Sequence, residues 1–278
     1  MRTSKYPAIT GTIAFYSILG LFTVFSAFPF VFALATSFKD PSQAFSPGLF
    51  PDAPTLGNYA AVVQTTPLFL TWVVNSVLIA VVSVVALVLL SMMGGYAMGR
   101  IDFAGRQALF TVMLASMMIP GQVLWIPNYA TLSRIGWVNT YWGLIPGFVA
   151  TLTQGIFLVS QFLKSLPKEL EEAARLDGLS RYSMFWRIIL PLAVPIIASM
   201  TITSFMASWN SFAWPVIVLN SPEKFTLPIG LNFFKGLYVT RWTLIMAGSM
   251  FNTVPVLVVF VLFQRYFVKG IATAGIKD

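Results

Sequence analysis

The sequence predicts an all-α protein that crosses a lipid bilayer six times. Hydrophobic residues make up 57% of its 278 positions and charged residues only 9%, whereas soluble domains carry roughly 25% charged residues. Six long stretches contain no Asp, Glu, Lys or Arg, and each can hold the about 20 apolar residues that a spanning helix needs. These stretches are residues 6–38, 53–99, 107–133, 135–163, 188–222 and 242–264.

One span is assigned to each stretch. The stretch 53–99 has room for two, but its first part is polar and rich in turn-forming residues, so only its second part is expected to cross the membrane. Within that first part, residues 56–63 predict a short surface helix. Residues 128–141 are expected to form an external link, and residues 227–238 an interfacial segment. The predicted spans are residues 8–38, 71–93, 108–125, 143–163, 192–218 and 244–263.

The third predicted span ends in a Pro-Gly pair, Pro120-Gly121. Such a pair is tolerated at membrane depth only where neighbouring protein or water satisfies the freed backbone groups. Two interpretations stay open at this point. The helix ends at the outer interface, or a kinked helix lines a path through the membrane.

The basic side chains predict the orientation of the chain. Its net charge is +8, which taken alone could indicate a nucleic-acid partner. With the N-terminus in the cytoplasm, however, twelve Lys and Arg residues fall on the cytoplasmic side and five on the outside, a clear positive-inside bias. Both termini and the segment 164–191 are therefore predicted to be cytoplasmic, and no nucleic-acid partner is expected.

Several function classes lack the residues they need. The chain contains no Cys and no His, which excludes disulfides, thiol chemistry and imidazole or thiolate metal sites. No carboxylate lies in a charge-free stretch, so an ion-coupled secondary transporter lacks its relay and an intramembrane enzyme lacks a general base. The first apolar run superficially resembles a signal peptide, but its length favours an uncleaved span.

One strongly charged segment interrupts this apolar chain. Eight charged side chains lie between Pro167 and Pro191, and the pattern predicts two short helices joined at Gly178. Pro167 is expected at the first helical position, Gly178 is expected to adopt the left-handed conformation that stops a helix, and Ser180 is expected to cap the second helix. Leu190-Pro191 is expected to end it.

Each of these helices has a face that could dock. Helical spacing places Leu170, Ala173, Ala174 and Asp177 on one face of the first helix, and Tyr182, Phe185, Trp186 and Ile189 on one face of the second. The two alanines would let another backbone approach closely, and the aromatic residues would act as anchors. A groove on a soluble partner and the surface of the bilayer are both suitable occupants on this pattern alone.

A sequence motif in the segment favours the protein partner. Glu172-Ala173-Ala174, Gly178 and Ile188-Ile189-Leu190-Pro191 resemble the EAA motif of ABC importer permeases, E-A-A-x3-G-x9-I-x-L-P. In that family this loop is a coupling helix that seats in a cleft of a cytoplasmic ATPase subunit. The resemblance implies that coupling to the ATPase is carried by Glu172, Ala173, Ala174, Asp177, Gly178, Tyr182, Phe185, Trp186, Leu190 and Pro191.

The resemblance extends over nearly the whole chain, to the carbohydrate-uptake branch with the maltose-type smaller permease subunit. It implies a single permease domain over residues 1–278 with the type I ABC importer fold, in a prokaryotic plasma membrane. The implied partners are a second permease subunit, two ATPase subunits and an extracytoplasmic solute-binding protein received by loops 39–70 and 219–241. The chain would bind no cofactor and have no catalytic site, because the ATPases bind ATP and Mg²⁺. Leu179 and a shifted tail at 272–278 depart from the family pattern.

Five residues are candidates for a solute path. Sugars need hydrogen-bond partners and aromatic faces, which predicts roles for Asn75, Gln122, Trp209, Asn210 and Trp214. The alternative for Asn and Gln is hydrogen bonding between helices, and for Trp a place in the interfacial belt. The identity of the sugar or related polar solute, and the share of contacts held by the companion subunit, stay open. A secondary transporter or a passive anchor subunit is the alternative function.

Overall fold

The computed structural model describes residues 9–234 and 241–274, and every regular element in them is a helix. The α-helices are α1 (Ile9–Ser37), α2 (Gly57–Thr65), α3 (Phe69–Arg100), α4 (Arg106–Ser116), α5 (Trp125–Arg134), α6 (Tyr141–Val149), α7 (Leu152–Lys164), α8 (Glu169–Leu176), α9 (Arg181–Met184), α10 (Leu190–Leu192), α11 (Val194–Trp209), α12 (Ala213–Val218), α13 (Leu227–Leu231) and α14 (Trp242–Ala274). The all-α prediction is confirmed.

The described helices provide four to six candidate spans, which is compatible with the six predicted. Four are long and apolar enough to cross a membrane without a sharp bend, namely Gly11–Ser37, Phe69–Arg100, Tyr141–Lys164 and Trp242–Arg265. Two further spans result if each sharply bent helix pair counts as one. These pairs are Arg106–Ser116 with Gly121–Arg134, bent by 89°, and Arg181–Leu192 with Val194–Trp209, bent by 73°.

The first bend lies at Pro120. A 3₁₀ turn over Gly121–Leu124 follows this proline and leads into α5. The prediction that the link begins at residue 128 is wrong, because α5 continues to Arg134 and Gly136, with φ of +72°, makes the turn instead. Glycine adopts this left-handed backbone without the steric cost that other residues incur.

The second bend lies at Ala193, and the helix before it ends at Leu192, one residue after the predicted end at Leu190-Pro191. The helix continues from Arg181 through a π turn, Phe185–Ile189, into α10. Within this turn the Leu190 amide donates to the Phe185 carbonyl, one residue further back than in an α-helix. The wider turn lets the helix pass Pro191, which has no amide hydrogen to donate.

The described residues divide into two compact units, while the single-domain assignment stays a prediction. The first unit comprises residues 9–67 together with 233–234 and 241–251. Its α2 confirms the predicted surface helix. Lys39 is fully buried in this unit, and its Nζ donates to the Gly48 carbonyl at 2.6 Å and to Ser46 Oγ at 3.2 Å. This lysine thereby closes the loop that follows α1.

The second unit comprises residues 68–232 and 252–274, and its main feature is the tight packing of α3 against α7. Glycines permit the close approach. A Cβ on Gly95 would overlap the side chain of Val159, and one on Gly99 would lie 3.1 Å from the Ser160 carbonyl oxygen. Small residues at such crossings are typical of helices packed within membranes.

Parts of four predictions lie outside the described residues. They are residues 235–238 of the interfacial segment, residues 235–240 of the external loop 219–241, residues 275–278 of the tail, and residue 8, where the first predicted span begins. The described part of the interfacial segment contains α13 and a 3₁₀ turn, Asn232–Phe234.

Candidate functional site

The first half of the charged segment (residues 167–191) is the short helix α8, whose two ends are stabilised locally. Glutamates occupy the first turn of α8, where they interact favourably with the positive end of the helix dipole. At the other end Gly178 has φ of +78°. Its amide donates to the Arg175 carbonyl, and the Leu179 amide donates to the Ala174 carbonyl, which is the Schellman pattern of a helix stop. The predicted role of Gly178 is confirmed, but Pro167 precedes the helix rather than opening it.

A buried ion pair attaches α8 to the membrane helices. Arg100, the last residue of α3, places its Nε 3.2 Å from Oε1 of Glu171, and these side chains are only 4% and 8% exposed. The same guanidinium donates to the carbonyls of Leu163 and Leu166 at the end of α7. The nearby Arg106 instead pairs within its own turn, with Asp102 at 2.7 Å. Arg100 therefore joins α3, the end of α7 and α8 at one point.

The predicted docking face of α8 is divided by the fold. Ala174 is buried beside Glu171, whereas Leu170, Glu172 and Ala173 face outward. The prediction that both alanines are available for docking is therefore wrong, because Ala174 lies on the inner face that the ion pair holds against the spans. Beyond them Leu176 is 90% exposed, and Asp177 is exposed as well.

The aromatic face of the second helix is divided in the same way. Tyr182 and Trp186 are exposed and contact each other edge to face, with ring centroids 6.1 Å apart. Phe185 is buried against Tyr96 of α3 at 5.6 Å. Phe185 is thus an internal anchor rather than part of a docking surface. Ile189 is buried too, while Pro191 is exposed and Leu190 is half-buried.

Both short helices of the charged segment therefore expose apolar side chains. The exposed apolar residues, together called the uncovered surface, are Leu170, Ala173, Leu176, Tyr182 and Trp186, and the charged Glu172 and Asp177 are exposed as well. Such surfaces on folded proteins mark places where a partner or a membrane binds.

A cavity of about 610 Å³ lies in the second unit, where three helices are interrupted. The interruptions are the bend after α4, the break between α6 and α7, and the break after α11. Its polar wall includes Asn128, Thr151, Gln154, Ser211 and Trp214. Interrupted backbone at membrane depth is tolerated where it lines a cavity. Because Pro120 and Gly121 are part of the lining, the structure favours the interpretation of a kinked, path-lining helix.

The candidates for the solute path do not all come together here. Trp214 lines the cavity, whereas Gln122 is exposed and outside the lining. Trp209 is buried, stacks on Phe205 at 5.5 Å, and donates through Nε1 to the Asn252 carbonyl at 2.9 Å. Asn210 is exposed and accepts a hydrogen bond from the Asn252 amide at 3.1 Å. Trp209 and Asn210 thus both contact α14.

Asn75 is fully engaged by its surroundings. Its side-chain amide donates to the carbonyls of Glu223 and Phe225, at 3.0 Å each, and its oxygen accepts from the Tyr141 hydroxyl at 2.8 Å. These bonds join three separate parts of the chain. The structure shows hydrogen bonding between elements for Asn75, away from the cavity lining, and its role in a solute path stays a prediction.

The sequence does not predict the buried ion pair between Arg100 and Glu171. No local pattern reveals this pair, because it joins residues 71 positions apart in the chain. The available signal was the position of Arg100, the first charged residue after a long uncharged stretch.

Comparison with known proteins decides the family. The model of a family described as "Binding-protein-dependent transport system inner membrane component" matches residues 91–273, more than half of the chain. The chain belongs to this family. It is therefore an importer permease and a multi-pass protein of the prokaryotic plasma membrane.

Curated relatives resemble the permease over nearly its whole length. The arabinooligosaccharides transport system permease protein AraQ of Halalkalibacterium halodurans is 38% identical over 257 residues, which cover 91% of each chain. The ABC transporter permease protein YcjP of Escherichia coli is 34% identical over 95% of this chain and 96% of its own. The trehalose/maltose transport system permease protein MalG of Thermococcus litoralis is 33% identical over 92% and 94%.

A solved structure has the same fold. It is a crystal structure of a bacterial ABC transporter involved in the import of the acidic polysaccharide alginate. Its matching chain gives a TM-score of 0.84 at 23% identity, over 95% of this permease and 100% of that chain. The predicted importer-permease fold is confirmed.

Proposed function

We propose that this permease forms half of the membrane pathway of an ATP-driven importer for a sugar or related polar solute. In this proposal its partners are a second permease subunit, two cytoplasmic ATPases and a solute-binding protein. The observation that carries the proposal is the uncovered surface of the charged segment, displayed on a helix that a buried ion pair ties to two membrane helices. A surface attached in this way can pass a movement of its partner to the spans.

The coupling step follows from this attachment. When the ATPases close on ATP, they would move α8 together with the surface formed by Ala173, Leu176 and Trp186. Because Arg100 joins α8 to the ends of α3 and α7, the displacement would reach α7, whose Thr153 and Gln154 line the cavity, and change access to that cavity. This chain would supply no catalytic group and bind no nucleotide, since hydrolysis would occur in the partner.

The solute assignment is supported by the relatives and by the cavity. The relatives named above include permeases for arabinooligosaccharides and for trehalose or maltose. The cavity combines hydrogen-bonding side chains with the aromatic rings of Trp125, Phe148 and Trp214. Such a combination suits the polar edges and apolar faces of a sugar ring.

The loop at 219–226, which would receive the binding protein, is held by hydrogen bonds to Asn139. Asn139, in the left-handed conformation with φ of 59°, accepts hydrogen bonds from the amides of Asn220 and Ser221 at 3.0 Å each. Lys224 donates to the Asn139 carbonyl at 2.8 Å. A second structure of an alginate transporter, in complex with a pentasaccharide-bound periplasmic protein, also matches this chain, with a TM-score of 0.66.

The Ala173→Arg substitution tests the coupling proposal. Ala173 is exposed, so the new side chain has room within the permease but would block close docking of a partner. We expect normal membrane insertion, loss of ATPase co-purification, and at least about a tenfold loss of ATP-driven uptake, since about 1.4 kcal/mol of lost docking energy already gives that factor. Uptake by proteoliposomes and pull-down of the ATPases are the measurements.

The matched control is Ala104→Arg, an exposed alanine in the turn after α3 and outside the docking surface. It should leave uptake and co-purification unchanged. Normal uptake by the Ala173→Arg variant would exclude the coupling role. A purified wild-type protein that carries neither an ATPase nor a second permease would favour a secondary transporter or a passive anchor.

A further inference from the structure

Three accessible polar side chains line the large cavity of the second unit. They belong to Asn128 of α5, Gln154 of α7, and Ser211, which lies just beyond the end of α11. Asn128 and Gln154 are exposed and Ser211 is half-buried, unlike the buried Trp214 in the same wall. Three separate parts of the chain therefore contribute reachable polar groups to one space of about 610 Å³.

The fold does not use these three side chains. Within the part of the chain that the structure describes, the side chains of Asn128, Gln154 and Ser211 form no hydrogen bond. Other hydroxyls of the same wall are engaged internally, since Thr151 donates to the Phe148 carbonyl at 3.3 Å and Ser116 to the Met113 carbonyl at 2.7 Å. The described contacts of this chain thus do not explain why two amides and a hydroxyl occur at these places.

Gln154 lies near the middle of its span. The span is Tyr141–Lys164, and Gln154 is thirteen residues from its outer end and ten from its inner end. A side-chain amide that faces hydrocarbon without a hydrogen-bond partner is costly, so polar side chains at this depth face protein or a water-filled cavity. Gln154 therefore needs a polar partner that this chain does not supply.

The chemistry of the cavity wall favours a neutral polyol as that partner. A side-chain amide donates through its NH₂ group and accepts through its oxygen, so it can join two neighbouring hydroxyls of one sugar. The half-buried rings of Trp125 and Phe148 supply apolar faces in the same wall. Among the described residues that line the cavity none carries a charge, so this chain offers no counter-charge to an anionic solute, whose burial would then be costly.

We propose that Gln154, together with Asn128 and Ser211, binds the hydroxyl groups of a neutral solute as it crosses the membrane. This subunit would then contact the solute itself, rather than leave every contact to the companion permease. The inference deepens the proposed function and rests on it. A contact with the companion permease and water alone are the other sources of a polar partner for Gln154, and each gives a different result in the experiment.

Gln154→Leu removes the amide and keeps a side chain of similar size. The experiment uses the complete transporter in proteoliposomes, saturated with its solute-binding protein, and labelled arabinotriose, maltose and trehalose. We expect the uptake rate to fall by about tenfold, the effect of losing about two net hydrogen bonds to the solute. ATP hydrolysis stimulated by the binding protein, co-purification of the companion permease and the thermal midpoint should not fall, because no contact of the fold is removed.

Gln161→Leu is the matched control. Gln161 lies on the same helix, α7, two turns closer to its cytoplasmic end, and is exposed like Gln154, but it does not line the cavity. Its substitution should leave the uptake rate unchanged. Asn128→Ala and Ser211→Ala should each lower uptake, by a smaller factor than Gln154→Leu.

The outcomes separate this inference from the proposed function. If wild type imports at least one of the sugars and the Gln154→Leu variant imports it equally fast, Gln154 contacts only water and the site is wrong, while the proposed function stands. Loss of the companion permease from purified Gln154→Leu would assign the amide to the subunit interface instead. An equal fall in uptake for Gln161→Leu would also contradict the site.

The cargo is tested with wild type alone. Uptake of a labelled alginate trisaccharide by wild type would exclude a cavity restricted to neutral solutes. If wild type imports none of the three neutral sugars, the cargo class of the proposed function is wrong, and the inference falls with it.

Discussion

Arg100 is a charged side chain buried where a membrane helix ends. Its guanidinium is planar and carries five N–H donors, and the structure engages it with the Glu171 carboxylate and two backbone carbonyls. The Glu171 carboxylate is a buried charge of the opposite sign, in the first turn of α8. Each charge makes the burial of the other tolerable, so removal of one leaves the other uncompensated.

Arg100→Gln tests this mutual dependence. We expect it to destabilise the permease by about 3–5 kcal/mol, because an unpaired buried carboxylate remains, and to lower the thermal midpoint in detergent. Asp102→Asn is the control, since it removes an ion pair whose side chains are 34% and 94% exposed and that contributes at most about 1 kcal/mol. Equal midpoints for the two variants would mean that the buried pair gives no net stability.

Gly178 is a position where the backbone alone decides which residue fits. A Cβ added there meets nothing within 4 Å, but the φ of +78° is strained for any residue with a Cβ. We expect Gly178→Ala to cost about 1–2 kcal/mol, measured by thermal unfolding. Gly20→Ala, in the middle of α1 and also in open space, should be neutral or stabilising. A smaller loss at Gly178 than at Gly20 would contradict the argument.

At the scale of elements, the packing of α3 on α7 determines the framework of the second unit. A methyl group at Gly95 would overlap Val159, whose own backbone lies in the facing helix. The two helices would have to separate, so we expect Gly95→Ala to cost about 1–3 kcal/mol, although alanine is the better helix former. Thermal unfolding again measures the effect, and a stabilised variant would show that the contact is loose.

The elements also show where sequence reasoning succeeds and where it stops. The boundary at Gly178 follows from local chemistry, because only a few backbone conformations stop a helix. The helix that contains Pro191 ends within one residue of the predicted position, but the π turn inside it, Phe185–Ile189, leaves no clear sequence signal. Pro120 allowed two interpretations, and only the cavity next to it favoured one.

At the scale of the whole molecule, the long uncharged stretches of the sequence predict the number of spans. Six uncharged stretches predicted six crossings, and the described helices provide them once the two bent pairs are counted. The candidate site was less accessible to prediction. Which of Asn75, Trp209 and Trp214 borders a cavity depends on contacts between distant parts of the chain, and so does the burial of Ala174 and Phe185. Periodicity indicates a face of a helix but does not show what covers that face.

Lys39 allows the loop after α1 to be studied by chemical labelling. Its amine is fully enclosed and engaged by Ser46 and Gly48, so an amine-reactive reagent can modify it only after the loop opens. The rate of that modification, followed by mass spectrometry of the intact transporter, would report how often this loop opens. Comparing the rate with and without the binding protein would show whether docking outside the membrane loosens or tightens this part of the permease.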